Sequence, residues 1–141
     1  MIKSAITVSI VEQARKGPFV FHGDVADACR IASELGFDAV ELFAPSADAI
    51  RSLRLDDLLQ RHNLRLAAVG TGAGMLVHQL RLCDPDSACR QKAEHFIRDI
   101  MSAGADYAAP AIIGSMQGKW DDVVGQPTAV KYLQEIGRAH V

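Results

Sequence analysis

The chain has few cysteines, no surplus of either charge and no long apolar run. Cys29, Cys83 and Cys89 are odd in number and have no CxxC spacing. That pattern offers neither a disulfide framework nor a structural zinc site, and it fits a reduced, cytoplasmic protein. Fifteen basic against seventeen acidic residues leave a formal charge of -2. Nothing is left over to neutralise a phosphate backbone, so nucleic acid is not an expected partner. No apolar stretch approaches the roughly 18–20 residues of a membrane span. The first thirteen residues lack a small-residue cleavage site and read as a strand rather than a signal peptide. What is present is a 141-residue chain with 49% hydrophobic residues. That is enough apolar material for a core and about the length of one domain.

The apolar pattern alternates between strand and helix. Ala5 to Val11 is β-branched and apolar, a strand signature. Asp24 to Leu35 carries Val25, Ala28, Ile31, Ala32 and Leu35 at helical spacing, and Gly36 follows as a stop. Asp38 to Phe43 predicts a second strand. Ser46 is placed to cap a single helix running to about His62 and Asn63. Arg65 to Val69 predicts a third strand, and a Gly-rich connection follows from Gly70 to Pro85. Asp86 or Ser87 caps a helix with Cys89, Ala93, Phe96, Ile97, Ile100 and Met101 on one face, ended by Gly104. Ala109 to Ile113 predicts a fourth strand, and Pro127 suits the first turn of a helix that has barely begun. This βαβαβαβα order implies parallel strands with right-handed crossovers, in a doubly wound sheet or a piece of a closed barrel.

The last six residues, Ile136 to Val141, equal the translation of atc gga aga gca cac gtc, the start of a common sequencing adapter. The adapter's next codon is a stop. The expectation is therefore a native segment 1–135 and a foreign tail 136–141, left out of fold reasoning. Residues 1–135 then hold about three and a half βα units of roughly 38 residues, and eight such units match the length of a TIM barrel. The predicted fold is α/β, half of a TIM barrel with outer helices.

Three stretches resemble a known family. Gly36-Phe37-Asp38-Ala39-Val40-Glu41-Leu42 resembles the second strand of the sugar phosphate isomerase/epimerase family, the xylose-isomerase-like TIM barrels. Leu80, Leu82, Asp84-Pro85-Asp86 and Arg90 resemble its third connection, and Ala109 to Gly118 its fourth strand and loop. Ala103 to Ala108 departs from the plainer Leu-Gly-Ala approach usual there. The resemblance implies a sugar isomerase or epimerase that moves a proton beside a carbonyl polarised by a divalent metal such as Mn, Mg, Co or Zn. It implies that the metal ligands come mainly from the fifth to eighth strands. No metal ligand or catalytic residue is therefore assigned within this chain, and the chain alone is expected to be inactive. The expected partner is a small sugar, and a homo-oligomer is compatible with the full-length protein. The alternatives are an endonuclease-IV-like abasic-site nuclease, disfavoured by the charge balance, and a non-catalytic barrel binding module.

In a TIM barrel the site lies at the C-terminal ends of the strands. Alternation along Asp38–Phe43 puts Ala39, Glu41 and Phe43 on one face and Val40 and Leu42 on the other. The apolar pair suits the helices, so Glu41 and Phe43 are expected to face the barrel interior. Glu41 would either bond the substrate or pair with an interior Lys or Arg. Gly70 and Thr71 begin a loop expected to line the pocket. The third Gly of a dinucleotide fingerprint would fall at Met75, and no helix is expected directly after it, so that reading is set aside. Ser115 and Gln117 can bond sugar hydroxyls, Trp120 can stack on a sugar face or pack under its loop, and His78 can reach the pocket mouth or stay on the surface. His22, His62 and His95 are given no role, and Cys29 and Cys89 are read as core. Two open strand edges and an exposed interior predict that the chain aggregates, self-associates or stays loosely folded.

Overall fold

A computed structural model describes residues 3–138, and the side chains of 3–136. Five parallel strands form one open sheet in the order β2-β1-β3-β4-β5. They are β1 (Ala5–Ser9), β2 (Phe21–His22), β3 (Ala39–Phe43), β4 (Arg65–Gly70) and β5 (Ala111–Ile112). The helices are α1 (Val25–Glu34), α2 (Ala47–Ser52), α3 (Leu55–His62), α4 (Ala73–His78), α5 (Ser87–Ala105) and α6 (Gln126–Arg138).

Local chemistry sets most of these boundaries. Asp24, Ser46 and Asp86 cap α1, α2 and α5 by accepting the N–H of Asp27, Ala49 and Ala88. Gly36 stops α1 in the left-handed region at φ +82°, where a Cβ would be strained. The helix expected from Ser46 to Asn63 is two helices, because Arg54 takes a left-handed φ of +48° between them. Two elements were not expected: β2, and α4, which forms inside the Gly-rich connection. The last helix is not a beginning but runs for 13 residues. It covers Ile136 to Arg138 of the expected tail, and Ala139, His140 and Val141 lie outside the described residues.

The main core lies between the sheet and its helices. Val8, Val40, Leu42, Leu66 and Val69 are buried there against Ala28, Cys29, Ala32, Ile50, Leu59, Ile100 and Ala103. Between Val40 and Glu41 the register with β4 shifts by one residue, so Ala67 is extra. This bulge lets Leu66 and Val69, three residues apart, both face the helices. Three core expectations fail. Leu35 and Met101 are exposed at the helix rims, and Cys89 is half-buried beside the Gln79 carbonyl.

The Asp84-Pro85-Asp86 stretch and Arg90 form a structural knot. The Asp84 carboxylate accepts Arg81 Nε and Nη2 at 3.0 and 2.7 Å and the Asp86 N–H at 2.9 Å. Burial pushes its pKa up, but these donors outweigh burial and hold it below the ordinary carboxylate range. Arg90 donates to the Asp84 carbonyl at 2.9 Å and lies 3.9 Å over the Tyr132 ring, which ties α5 to α6.

Candidate functional site

Strand register decides which side chains meet. Residues aligned on neighbouring strands point to the same side of a pleated sheet. Ser9 aligns with His22 and Phe43, Phe43 with Gly70, and Gly70 with Ile112. His22, Ser9, Phe43, Gly70 and Ile112 are thus one row, formed by the last residue of every strand. The row below is Thr7, Glu41 and Ala68. The alternate row, Phe21, Val8, Leu42, Val69 and Ala111, packs into the helix-side core. The two site rows therefore lie on the inner face, at the end where a barrel carries its site.

Glu41 is half-buried and makes no hydrogen bond or ion pair among the described residues. The interior Lys or Arg offered as its structural partner is not among them. Its carboxylate has acceptor capacity to spare for a ligand hydroxyl.

Phe43 is held flat. Its ring stacks on Phe19 at 4.8 Å between centroids with 25° between planes. A Cβ on Gly70 would stand 2.9 Å from Phe43 Cδ2, and one on Gly72 would stand 3.0 Å from Cε2. These two glycines give the ring its seat over the end of β4. Ser115 Oγ lies 3.2 Å from the same point on Gly72, so Ser115 borders this aromatic floor.

Thr71 lies deeper than a ligand contact. It is fully buried, and its hydroxyl donates toward the carbonyls of Ile112 and Ile113 at 3.0 and 2.8 Å. Its side chain ties β4 to β5. His78 is exposed at the end of α4, 5.9 Å from the Phe96 ring, in a groove with Leu80, Lys92, His95 and Asp99. None of the rim residues shares that groove. Trp120 is 61% exposed and does not pack under its loop. It lines an open groove of about 450 Å³ with Gln117, Lys119, Val130 and Leu133.

Two expectations about this end of the sheet need correction. A helix, α4, does begin within the Gly70–Gly74 segment, at Ala73 with Gly72 as its N-cap. It is six residues long, and its Gly74 serves packing: a Cβ there would stand 2.8 Å from Met116 Cε and 2.9 Å from Phe96 Cδ1. His22, given no role, stands in the terminal row. Its ring nitrogen Nε2 is 3.1 Å from the Phe19 carbonyl, and its Nδ1 is buried without a partner. The signal in the sequence is Phe19-Val20-Phe21-His22, a short aromatic and β-branched run. Among the described residues no three His, Cys, Asp or Glu side chains converge to hold a metal.

An open parallel sheet with outer helices and a site row at the strand ends defines half of a β/α barrel. The family model described as xylose isomerase-like TIM barrel matches residues 29–139, and the chain belongs to that family. Among solved structures the chain is similar to a D-allulose 3-epimerase from Methylomonas sp. in complex with D-allulose, with a TM-score of 0.61 and 20% identity. The match covers 97% of this chain and 48% of that one, so the chain spans about half the length of the epimerase it matches. None of the curated proteins compared with it matches the chain. Among the described residues no helix is long and apolar enough to cross a membrane.

Proposed function

We propose that this chain carries the first half of a sugar isomerase or epimerase that works by proton transfer beside a carbonyl. The observation that carries the reading is the inner rim: an unpaired Glu41 carboxylate one row below Phe43, whose ring lies on Gly70 and Gly72. A sugar presents hydroxyl donors on its edge and an apolar C–H face. The carboxylate accepts from the first, and the Phe43–Phe19 pair covers the second. Ser115, beside Gly72, supplies a further polar group from the loop after β5, whereas Gln117 and Trp120 line the separate groove against α6. Family membership and the epimerase neighbour support the same class. The divalent metal belongs to this proposal as a group held by residues outside the chain. In this proposal the chain's own part is to bind and orient the sugar.

The test uses the barrel that has this chain as its first half, assayed with ketohexoses, ketopentoses and their phosphates in D2O with added manganese. Deuterium is expected at the carbon beside the carbonyl, with Glu41→Gln raising KM or lowering kcat. A folded, metal-loaded barrel that exchanges no carbon-bound hydrogen with any of these sugars contradicts the proposal.

A further inference from the structure

We propose that the cleft between the loops after β4 and β5 is a second sugar subsite, so that the reacting ketose carries a further uncharged sugar unit rather than a phosphate. The inference rests on the proposed sugar chemistry and adds which sugar the site takes. The cleft holds about 590 Å³, and its lining includes Met75, Arg81, Cys83, Ser115, Lys119 and Asp121. That volume lies in the range of small-molecule sites.

Both walls belong to this chain and are fastened to each other. The Leu82 N–H donates to the Met116 carbonyl at 2.9 Å. A Cβ on Gly118, at φ +82°, would stand 3.2 Å from Cys83 Cβ and 3.4 Å from Arg81 Cβ, so the two loops lie in contact. The cleft is therefore formed without the open edges of the sheet. It also adjoins the aromatic floor. Ser115 lines it, and Ser115 Oγ is 3.2 Å from where a Gly72 Cβ would stand, beside the Phe43 ring. A sugar seated on Phe43 thus has room for a substituent in the cleft.

The polar groups of the cleft are set for hydroxyls. The buried Asp84 carboxylate holds Arg81 by Nε and Nη2. The other three N–H groups of the guanidinium have no acceptor among the described residues. Asp121 Oδ1 accepts the N–H groups of Val123 and Val124, both at 2.9 Å, and its Oδ2 has no donor among the described residues. Donors and an acceptor therefore border one volume, over the apolar side chains of Met75 and Val124. A sugar ring offers the complement: hydroxyls that both give and accept, and an apolar C–H face. Charge decides against a phosphate. Arg81 and Lys119 are balanced by Asp84 and Asp121, so a dianion meets as many carboxylates as cations, whereas a neutral sugar is indifferent to that balance.

The test is isothermal titration of the barrel that has this chain as its first half, with added manganese, against three ligands: D-fructose, D-fructose 6-phosphate and 6-O-glucosyl-D-fructose. The glucosyl ketose is expected to bind at least about tenfold tighter than either of the others. Lys119→Gln with Asp121→Asn, both exposed, should lower the ratio of glucosyl-ketose to fructose affinity about fivefold or more. Glu41→Gln should weaken all three ligands together. Equal affinities, no binding of any of the three, tightest binding of the phosphate, or a preference that the cleft pair does not alter overturns the inference. The titration reads no proton transfer, so the two readings fail separately. A barrel that prefers the glucosyl ketose but exchanges no carbon-bound hydrogen supports the subsite and contradicts the proposed reaction alone.

Discussion

The two faces of the sheet are built to opposite specifications from the same strands. Along β3, Val40 and Leu42 are buried among α1, α2 and α5, while Glu41 and Phe43 between them face inward and are half-buried. The helix face is apolar and closed. The inner face carries a carboxylate, two seryl and threonyl side chains at Ser9 and Thr7, an aromatic ring and glycine. The buried apolar packing therefore lies on one side of the sheet and the polar groups of the proposed site on the other, with one residue of spacing between them.

Substitutions can break or sharpen this contrast. The largest effect is expected at Leu42→Ala on the closed face, a loss of about 2–5 kcal/mol in denaturant unfolding. Gly70→Ala comes next, because its Cβ would press on Phe43 at 2.9 Å. A cost of about 1–3 kcal/mol is expected, together with a displaced Phe43 visible in ring-proton shifts. Asp84→Asn removes a buried carboxylate with three donors and should cost about 1–3 kcal/mol at neutral pH. Since the folded pKa of Asp84 is lowered, its contribution is present above the unfolded value of about 3.9 and is lost as pH falls through the folded value. The variant should lose that part of the acid dependence. Ala108→Gly should stabilise by about 0.5–1 kcal/mol, since Ala108 sits at φ +54°. Glu41→Gln should change stability by less than about 0.5 kcal/mol, because its carboxylate has no partner to lose.

The strong periodicities made the fold legible. The four main strands, the caps at Ser46 and Asp86 and the stop at Gly36 follow from local chemistry that tertiary packing does not override. What was hidden had weak local signals. The break at Arg54 has no glycine or proline to mark it. Helix α4 contains Gly72 at its cap and Gly74 inside it, which argue for a loop, yet Gly74 is what lets the helix approach Met116 and Phe96. The departure at Ala103–Ala108 also becomes physical, because Ala108 holds a left-handed conformation that glycine adopts more easily. At the site, alternation alone placed Glu41 and Phe43 on the inner face. It could not tell that the Thr71 hydroxyl is taken up by β5, that His78 turns to the α5 groove, or that His22 joins the terminal row. Those depend on register between strands distant in sequence.

The central claim is that strand parity divides a closed helix face from an open face bearing Glu41. Single cysteines introduced with Cys89 replaced by Ser test it directly, by the rate of thiol labelling in variants verified as folded by circular dichroism. Thr7→Cys and Glu41→Cys should label fast, while Val8→Cys and Leu42→Cys should label slowly, as buried positions do. Equal rates in the two pairs, or faster labelling at Val8 and Leu42, would contradict the account.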